Sequence, residues 1–520
     1  MNRTKALQQL LATTQWDIII IGGGATGLGC AVDAASRGYK TLLLEKSDFA
    51  KGTSSRATKL VHGGVRYLQQ GNIRLVREAL LERGRLLKNA PHVCHPLPFI
   101  LPFYSYWQKW YYSAGLWLYE WLSGTLSLGK TSLLVQQAAL KCLPDLNPAK
   151  LTGGILYYDG QFDDSRLAIN LAQTAEEQGA TVINYMPVTG FKKTAGKITA
   201  VMATDSCTNI TYELAASVVI NATGVFADEL LQLAEGHTQQ TITPSQGIHL
   251  VVAPHFFKGI TALMIPKTDD GRVLFAIPWY GKVLVGTTDT AVQDISQEPR
   301  AMPTEVDFVI NHFNRYASTA IGYADVLSVF AGLRPLAKSS GTKKTAVMPR
   351  DHHIEVLPSG MVHVTGGKWT TYRSMAQHAV DKALKPGGLP MLACTTTLLK
   401  IHGYSTQKTA THWDVYGTDA AAIKAMIVND AFLGNTIHPH YPYTCAEVKW
   451  MVIHEMAITV EDVLARRMRL LFVDAKAAME AAPTVAAIMA AQSGKDDEWV
   501  AMQIDKFNKL AAGYLLPQHY

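Results

Sequence analysis

The 520-residue chain has little of what would place it in several common classes. Its six cysteines, Cys30, Cys94, Cys142, Cys207, Cys394 and Cys445, are scattered, and none forms a C-x-x-C pair. That spacing fits neither a zinc or iron–sulfur site nor a disulfide framework and leaves reduced core thiols as the plain reading. Only 17% of residues are charged, and the formal net charge is +6. So mild an excess does not argue for nucleic acid, although it is compatible with an anionic substrate or an anionic membrane surface. No uninterrupted apolar run of about 18 residues occurs, so no spanning helix is expected. The opening "MNRTKALQQLLATTQWDIII" has Gln and Thr inside its apolar part and no cleavage site, unlike a secretory signal. There is no repeat of about 20 to 50 residues, no calcium loop and no low-complexity tract.

What is present is apolar substance: 48% of the chain, enough for roughly two to four domains with cores of their own. "WDIIIIGGGATGLGCAVDAASRGYKTLLLE", residues 16 to 45, gives the clearest local signal. Ile18 to Ile21 is the continuous apolar run of a buried parallel strand. Gly22, Gly24 and Gly27 follow as G-x-G-x-x-G, with Ala25 and Thr26 between them, then an Ala-rich helix and a second strand ending in Glu45. Glycines here permit a tight turn, close approach of backbone to a pyrophosphate and close helix–strand packing. The helix N-terminus favours the phosphates, and Glu45 is placed for ribose hydroxyls. A merely structural glycine turn would account for the glycines and not for Glu45. The loop alone does not separate NAD from FAD. "VVINATG", with Ala222, Thr223 and Gly224, resembles a second FAD contact of many flavoproteins, and with "TGGKWTTY" it favours FAD.

Between Lys51 and Tyr67 runs "KGTSSRATKLVHGGVRY". If it folds back over the dinucleotide, Thr53, Ser54 and Ser55 offer hydroxyls to the pyrophosphate, Gly63 and Gly64 approach the flavin, and Arg66 faces substrate. The competing reading is an exposed basic loop. His62 is left as a flavin neighbour or a turn residue. Four later segments each set a cation or histidine beside glycine or proline: "SQGIHLVV" with His249, "FAGLRPL" with Arg334, "VMPRDH" with Arg350 and "TGGKWTTY" with Lys368.

Strand and helix patterns predict an α/β Rossmann-like FAD-binding domain, discontinuous in sequence over 1–95, 150–225 and 355–384. An antiparallel β-rich substrate-binding domain is expected over 96–149 and 226–354, and the whole resembles the amino-acid-oxidase-like flavoproteins. "KPGGLP" (385–390) reads as a linker, and 391–520 as a separate helical C-terminal domain.

Taken together, "IGGGATGLG", "GTSSRATKLVHGGVRYL", "YYDGQFDDSRL", "NATGVFAD", "LVGTTD", "GLRPL" and "GGKWTTYR" are more specific than any glycine loop. With the tail "EDVLARRMRLLF" they resemble the FAD-dependent respiratory glycerol-3-phosphate dehydrogenases over nearly the whole chain. The resemblance implies oxidation of sn-glycerol 3-phosphate at C2 to dihydroxyacetone phosphate, hydride transfer to flavin N5, and delivery of electrons to a membrane quinone. It implies that Arg66, Arg334 and Arg350 bind the substrate phosphate, with Tyr67 adding a hydroxyl, and that His249 is the general base. Lys368 would serve the reduced flavin or the phosphate, and Gly367, Thr370 and Thr371 of the same turn would face the cofactor. The expected setting is cytoplasmic, peripherally attached to the inner face of the cell membrane, with no nucleic acid and no metal; a homodimer stays open. Rival readings are a soluble oxidase of glycerol 3-phosphate, an amino-acid or amine oxidase of the same fold, and a flavin-binding scaffold without turnover.

Two segments keep two readings each. Residues 98 to 122 hold Trp107, Trp110, Trp117 and Trp121 with only Lys109 and Glu120 as charges, and read as a membrane-interface anchor or as packing between domains. Arg466, Arg467 and Arg469 of the tail face lipid headgroups or sit on a solvated helix. Asp164 and Ser165, before a helix in "DGQFDDSRL", read as its N-cap rather than as acid–base groups or a metal site.

Overall fold

The computed structural model describes every residue except 66, 67, 69, 70, 237–239, 338–351 and 518–520. The strand Trp16–Ile21 lies centrally in a mainly parallel sheet of eight strands among the described residues. It pairs in parallel with Thr41–Leu44 on one side and Thr211–Asn221 on the other, with Ile20 opposite both Leu43 and Ile220. Thr181–Ile183 extends one edge and Val362–Gly366 the other. Ile18, Ile19 and Ile20 are fully buried, as an apolar run in a central parallel strand should be. The helix Ala25–Ser36 rises from the glycine loop and packs against helices Asp164–Glu177 and Tyr372–Leu384. Strands far apart in sequence therefore meet in one sheet.

Among the described residues the second sheet has ten strands and is antiparallel apart from one parallel pairing, Ala262–Ile265 with Cys94–Phe103. Its long ladder joins Ile242–Val252 to Val326–Ala337, with His249 opposite Phe330 and Ser245 opposite Arg334. Leu60–Val61 and Gly153–Phe162, which the sequence assigns to the nucleotide-binding part, pair with each other at the far edge of this sheet. The chain thus crosses between the two sheets directly after the cofactor segment.

The C-terminal part is helical, as expected, with helices Cys445–His454, Ala475–Ser493 and Asp497–Ala511. It is not separate. One continuous apolar core runs from Phe99, Ile277 and Phe330 of the second sheet to Leu471, Phe472 and Val485 of the C-terminal helices. After "KPGGLP" the chain stays fastened: the Tyr39 hydroxyl donates to the Pro390 carbonyl, and Asn89 donates to that of Thr397.

The three tail arginines face neither lipid nor water. Arg466 and Arg467 are each 2% exposed and Arg469 is fully buried. Arg467 Nη1 donates to Asp48 at 2.7 Å and Nη2 to the Glu455 carbonyl at 2.6 Å. Arg466 Nε reaches the same Asp48, and Arg469 Nη2 reaches Asp164 at 3.2 Å and the Ser55 carbonyl at 2.7 Å. Charges of this kind are tolerated in a core only when paired and hydrogen-bonded, as here. The N-cap of helix Asp164–Glu177 is Asp163, one residue earlier than expected. Its Oδ1 accepts from the amides of Ser165 and Arg166, which releases Asp164 to bind Lys59 and Arg469.

Candidate active site

A cavity of about 550 Å³ begins at the glycine loop and ends between the two sheets. At its first end, Gly22 has φ +113°, and a Cβ there would lie 2.6 Å from the Ala222 carbonyl oxygen. A Cβ on Gly27 would overlap the Gly22 carbonyl, so helix and loop meet without room for a side chain. Glu45 fixes the loop: one carboxylate oxygen accepts from the Gly23 amide at 2.6 Å, the other from Ser47 at 2.8 Å. Burial pushes its pKa up, against the pull of those two amides. The Ser54 hydroxyl accepts from the amide of Ala25 at 2.9 Å, and Thr53 donates to the Leu333 carbonyl at 2.5 Å, which binds the 51–58 segment to both sheets. Trp369 Nε1 donates to the Ser54 carbonyl and closes the ring of contacts from the other side.

The far end is cationic. Arg334 Nη2 donates to Thr287 Oγ1 at 3.1 Å and to the Thr288 carbonyl at 2.9 Å, with Asp289 at 3.7 Å from Nη1. Gly247 makes room for that guanidinium, since a Cβ there would lie 2.7 Å from Arg334 Cζ. His249 is 2% exposed, and its Nε2 lies 3.0 Å from Thr58 Oγ1. Its pKa is held well below the ordinary histidine value, first by burial and then by Lys59 and Arg334. The imidazole is therefore neutral at physiological pH and has a lone pair to offer. Lys59 is fully buried, held by Asp164 at 2.7 Å and the Ser55 carbonyl at 2.9 Å. Burial brings it down to about 7, although Asp164 opposes the shift.

The structure gathers most of the expected residues around this one space. Gly22, Gly24, Ala25, Thr26, Glu45, Thr53, Ser54, Ala222, Thr223, Gly224, His249, Arg334, Gly367, Lys368 and Thr370 all line it. Gly27, Ser55, Gly63, Gly64 and Thr371 do not. Gly27 acts in packing, and the Ser55 carbonyl receives Lys59 and Arg469. The Gly63 amide donates to Tyr119 Oη at 2.6 Å, and its missing side chain leaves room for Leu80 and Tyr119 rather than for a ligand. Arg66, Tyr67 and Arg350 lie outside the described residues. Thr58, Arg56, Gln297 and Trp369 also line the cavity without having been singled out for it, and so does His62, for which a place beside the flavin was one of two readings. Thr58 gave no signal because its partner His249 is 191 residues away.

Comparison with known proteins agrees with this geometry. The family model described as FAD dependent oxidoreductase matches residues 17–381, and that described as the C-terminal domain of alpha-glycerophosphate oxidase matches 360–500. The chain is 37% identical to a Caenorhabditis elegans protein named probable glycerol-3-phosphate dehydrogenase, mitochondrial, over 97% of this chain and 74% of that one. It is 36% identical to the Homo sapiens mitochondrial glycerol-3-phosphate dehydrogenase over 98% and 75%. The crystal structure of a Bacillus halodurans glycerol-3-phosphate dehydrogenase complexed with FAD superposes with a TM-score of 0.79 at 28% identity, covering 100% of this chain and 98% of that one. An FAD-bound L-alpha-glycerophosphate oxidase from Mycoplasma pneumoniae shares the fold, with a TM-score of 0.57 at 18% identity over 74% and 97% of the two chains.

Proposed function

Because the chain belongs to the FAD-dependent glycerol-3-phosphate dehydrogenases, we propose that it oxidises sn-glycerol 3-phosphate at C2 to dihydroxyacetone phosphate and passes the electrons to a membrane quinone. One observation supports this reading: a single cavity is lined both by a glycine-and-hydroxyl cradle and by His249, Arg334 and Lys368.

The residues present fit FAD. Gly22, Gly24 and the start of helix Ala25–Ser36 offer bare backbone to a pyrophosphate, and Glu45, Ala222 and Thr223 line the adjoining wall. Bound FAD supplies the hydride acceptor. The chain's own groups do the rest. Arg334, oriented by Thr287 and Thr288, presents a fixed guanidinium to a phosphate dianion. His249 accepts the C2 hydroxyl proton. Burial and two cations disfavour its charged form at rest; a dianion arriving beside Arg334 offsets them and raises its basicity when substrate is in place. General-base help of this kind is typically worth about 10² to 10⁴ in rate. Lys368 adds positive charge at the same wall.

Peripheral membrane attachment is supported by helix Tyr106–Ser123. Trp107 is 87% exposed, Trp121 76% and Trp110 59%, so the helix does not fill a space between domains. Exposed Trp and Tyr in this density suit a membrane–water interface. Among the described residues no helix is long and apolar enough to cross a membrane.

The test is anaerobic. Purified holoenzyme should lose its flavin absorbance with glycerol 3-phosphate and not with glycine or D-amino acids, and should then reduce a quinone analogue. Bleaching by amines alone refutes the substrate; peroxide in air without quinone reduction refutes the acceptor. Replacing Trp107, Trp110 and Trp121 by Gln should release the protein from sedimenting anionic vesicles, and undiminished co-sedimentation would refute attachment through this helix.

A further inference from the structure

His249 is held by packing in its plane but not in its sense. Its ring stacks on Phe330, with centroids 5.0 Å apart and planes at 21°. On the neighbouring strand Gly286 carries no side chain, and a Cβ there would lie 3.0 Å from the ring's Cγ. That slot accepts a flat ring in either of two orientations. A half-turn about Cβ–Cγ exchanges Nδ1 with Cδ2 and Nε2 with Cε1 without changing the ring's outline. Hydrophobic contact does not tell nitrogen from carbon; a hydrogen bond does.

The ring has one such bond among the described residues. Nε2 meets Thr58 Oγ1 at 3.0 Å, while Nδ1 is buried without a hydrogen-bond partner. Thr58 is itself well placed to be a fixed reference. It lines the cavity beside His249, and the next residue, Lys59, is fully buried in a left-handed backbone conformation, φ +64°. The Lys59 ammonium is tied to Asp164 and to the Ser55 carbonyl, so the backbone that carries Thr58 is anchored one residue away. The charged groups acting on the imidazole are cations, Lys59 and Arg334, and no carboxylate acts among them. A hydroxyl is a suitable partner for a base in this setting. It can donate to the single lone pair of a neutral Nε2, pass that proton to the ring as its own oxygen takes the proton leaving the C2 hydroxyl, and then accept from Nε2–H.

We propose that Thr58 is the positioning residue for His249: its hydroxyl selects the ring orientation that turns Nε2, rather than a carbon, toward it, and it hands the proton of the C2 hydroxyl on to that nitrogen. This rests on His249 being the base.

The experiment is anaerobic stopped-flow reduction of the holoenzyme's flavin by glycerol 3-phosphate in Thr58→Val, Thr58→Ser and His249→Ala. In Thr58→Val the limiting reduction rate should fall roughly 10- to 100-fold, as expected for a buried polar atom left without its partner. The half-saturating concentration should stay within about 3-fold, and Thr58→Ser should restore the rate to within about 3-fold of the original. The acid limb of the rate profile should move to lower pH in Thr58→Val, since the acceptor that stabilised Nε2–H is gone. Should Thr58→Val lose FAD, Thr58→Ala carries the same expectations with less demand on space. A normal rate in the Val variant, equal loss in Val and Ser, or an effect confined to half-saturation each overturns the proposal. An unchanged His249→Ala overturns the reading of His249 itself; a slow His249→Ala beside a fast Thr58→Val overturns only the role of Thr58.

Discussion

Replacing Arg334 by Ala should raise the glycerol 3-phosphate concentration needed for flavin reduction far more than it lowers the limiting rate. Arg334 is aimed before substrate arrives: two hydrogen bonds from Nη2, to Thr287 Oγ1 and the Thr288 carbonyl, orient the guanidinium. Among the described residues Asp289 lies 3.7 Å from Nη1, beyond hydrogen-bonding distance, and Asp289 also receives the Ser245 hydroxyl. The side chain is 22% exposed, so a dianion would meet it largely out of water. Truncating one member of such a pair costs about 2 to 5 kcal/mol, or roughly 30- to 5,000-fold in affinity. The upper part of that range requires a fully desolvated pair; the partial exposure of Arg334 favours the lower part. Stopped-flow reduction across a substrate series separates half-saturation from the limiting rate. Arg334→Lys should fall between, keeping the charge and losing the planar fork. Unchanged half-saturation in Arg334→Ala, with FAD retained, would refute a phosphate-binding role.

His249→Ala should keep FAD and substrate binding while the limiting reduction rate drops about 10² to 10⁴ fold; a rate within error of the parent removes it from the mechanism. Gly27→Ala should yield protein with a lowered FAD-to-protein absorbance ratio, because the new methyl group meets the Gly22 carbonyl; full stoichiometry would show that the loop yields freely. Arg467→Ala leaves Asp48 buried with Arg466 and the Asn184 amide as partners and should destabilise the fold by up to about 3 to 5 kcal/mol, read as a lower denaturant midpoint. Glu461, paired with Arg466 and Lys51, has its pKa lowered to about 2. A depressed carboxylate stabilises the fold above its unfolded value, near 4.5, and that contribution disappears as pH falls toward 2. Glu461→Gln should therefore flatten the acid limb of a stability–pH curve, and an unaltered limb would contradict the assignment.

The sequence made the first end of the site legible because its signals are local. Strand, glycines, helix and Glu45 fall within 30 residues, and the backbone geometry there follows from residue type. Even so, both Glu45 oxygens already accept backbone amides, a task that spacing does not reveal. Signals that depend on distant partners were less readable. Arg466 and Arg467 sit in a helical, charge-bearing pattern that suits a surface equally well; their burial depends on Asp48, 418 and 419 residues away. Gly63 next to Gly64 implied close approach to a ligand, whereas the neighbours that need the space at Gly63 are Leu80 and Tyr119. For the aromatic helix, composition supported two readings, and the exposure of its tryptophans is a property that composition does not give.

The order of strands in the parallel sheet also has a consequence in time. Ile20 pairs with Ile220, and Ile220 in turn with Val362, so the first strand synthesised waits for most of the chain before its sheet is complete. At roughly 5 to 20 residues per second, 200 residues separate the first pair by about 10 to 40 s, and Val362 follows after another interval of the same order. During that wait "WDIIII" is an apolar segment without its later neighbour, a natural client for a chaperone. The cradle at Gly22 closes against Ala222 only afterwards, and Asp48 meets its arginines later still. On this order of events the cradle at the glycine loop is complete only once segments about 200 residues apart have met.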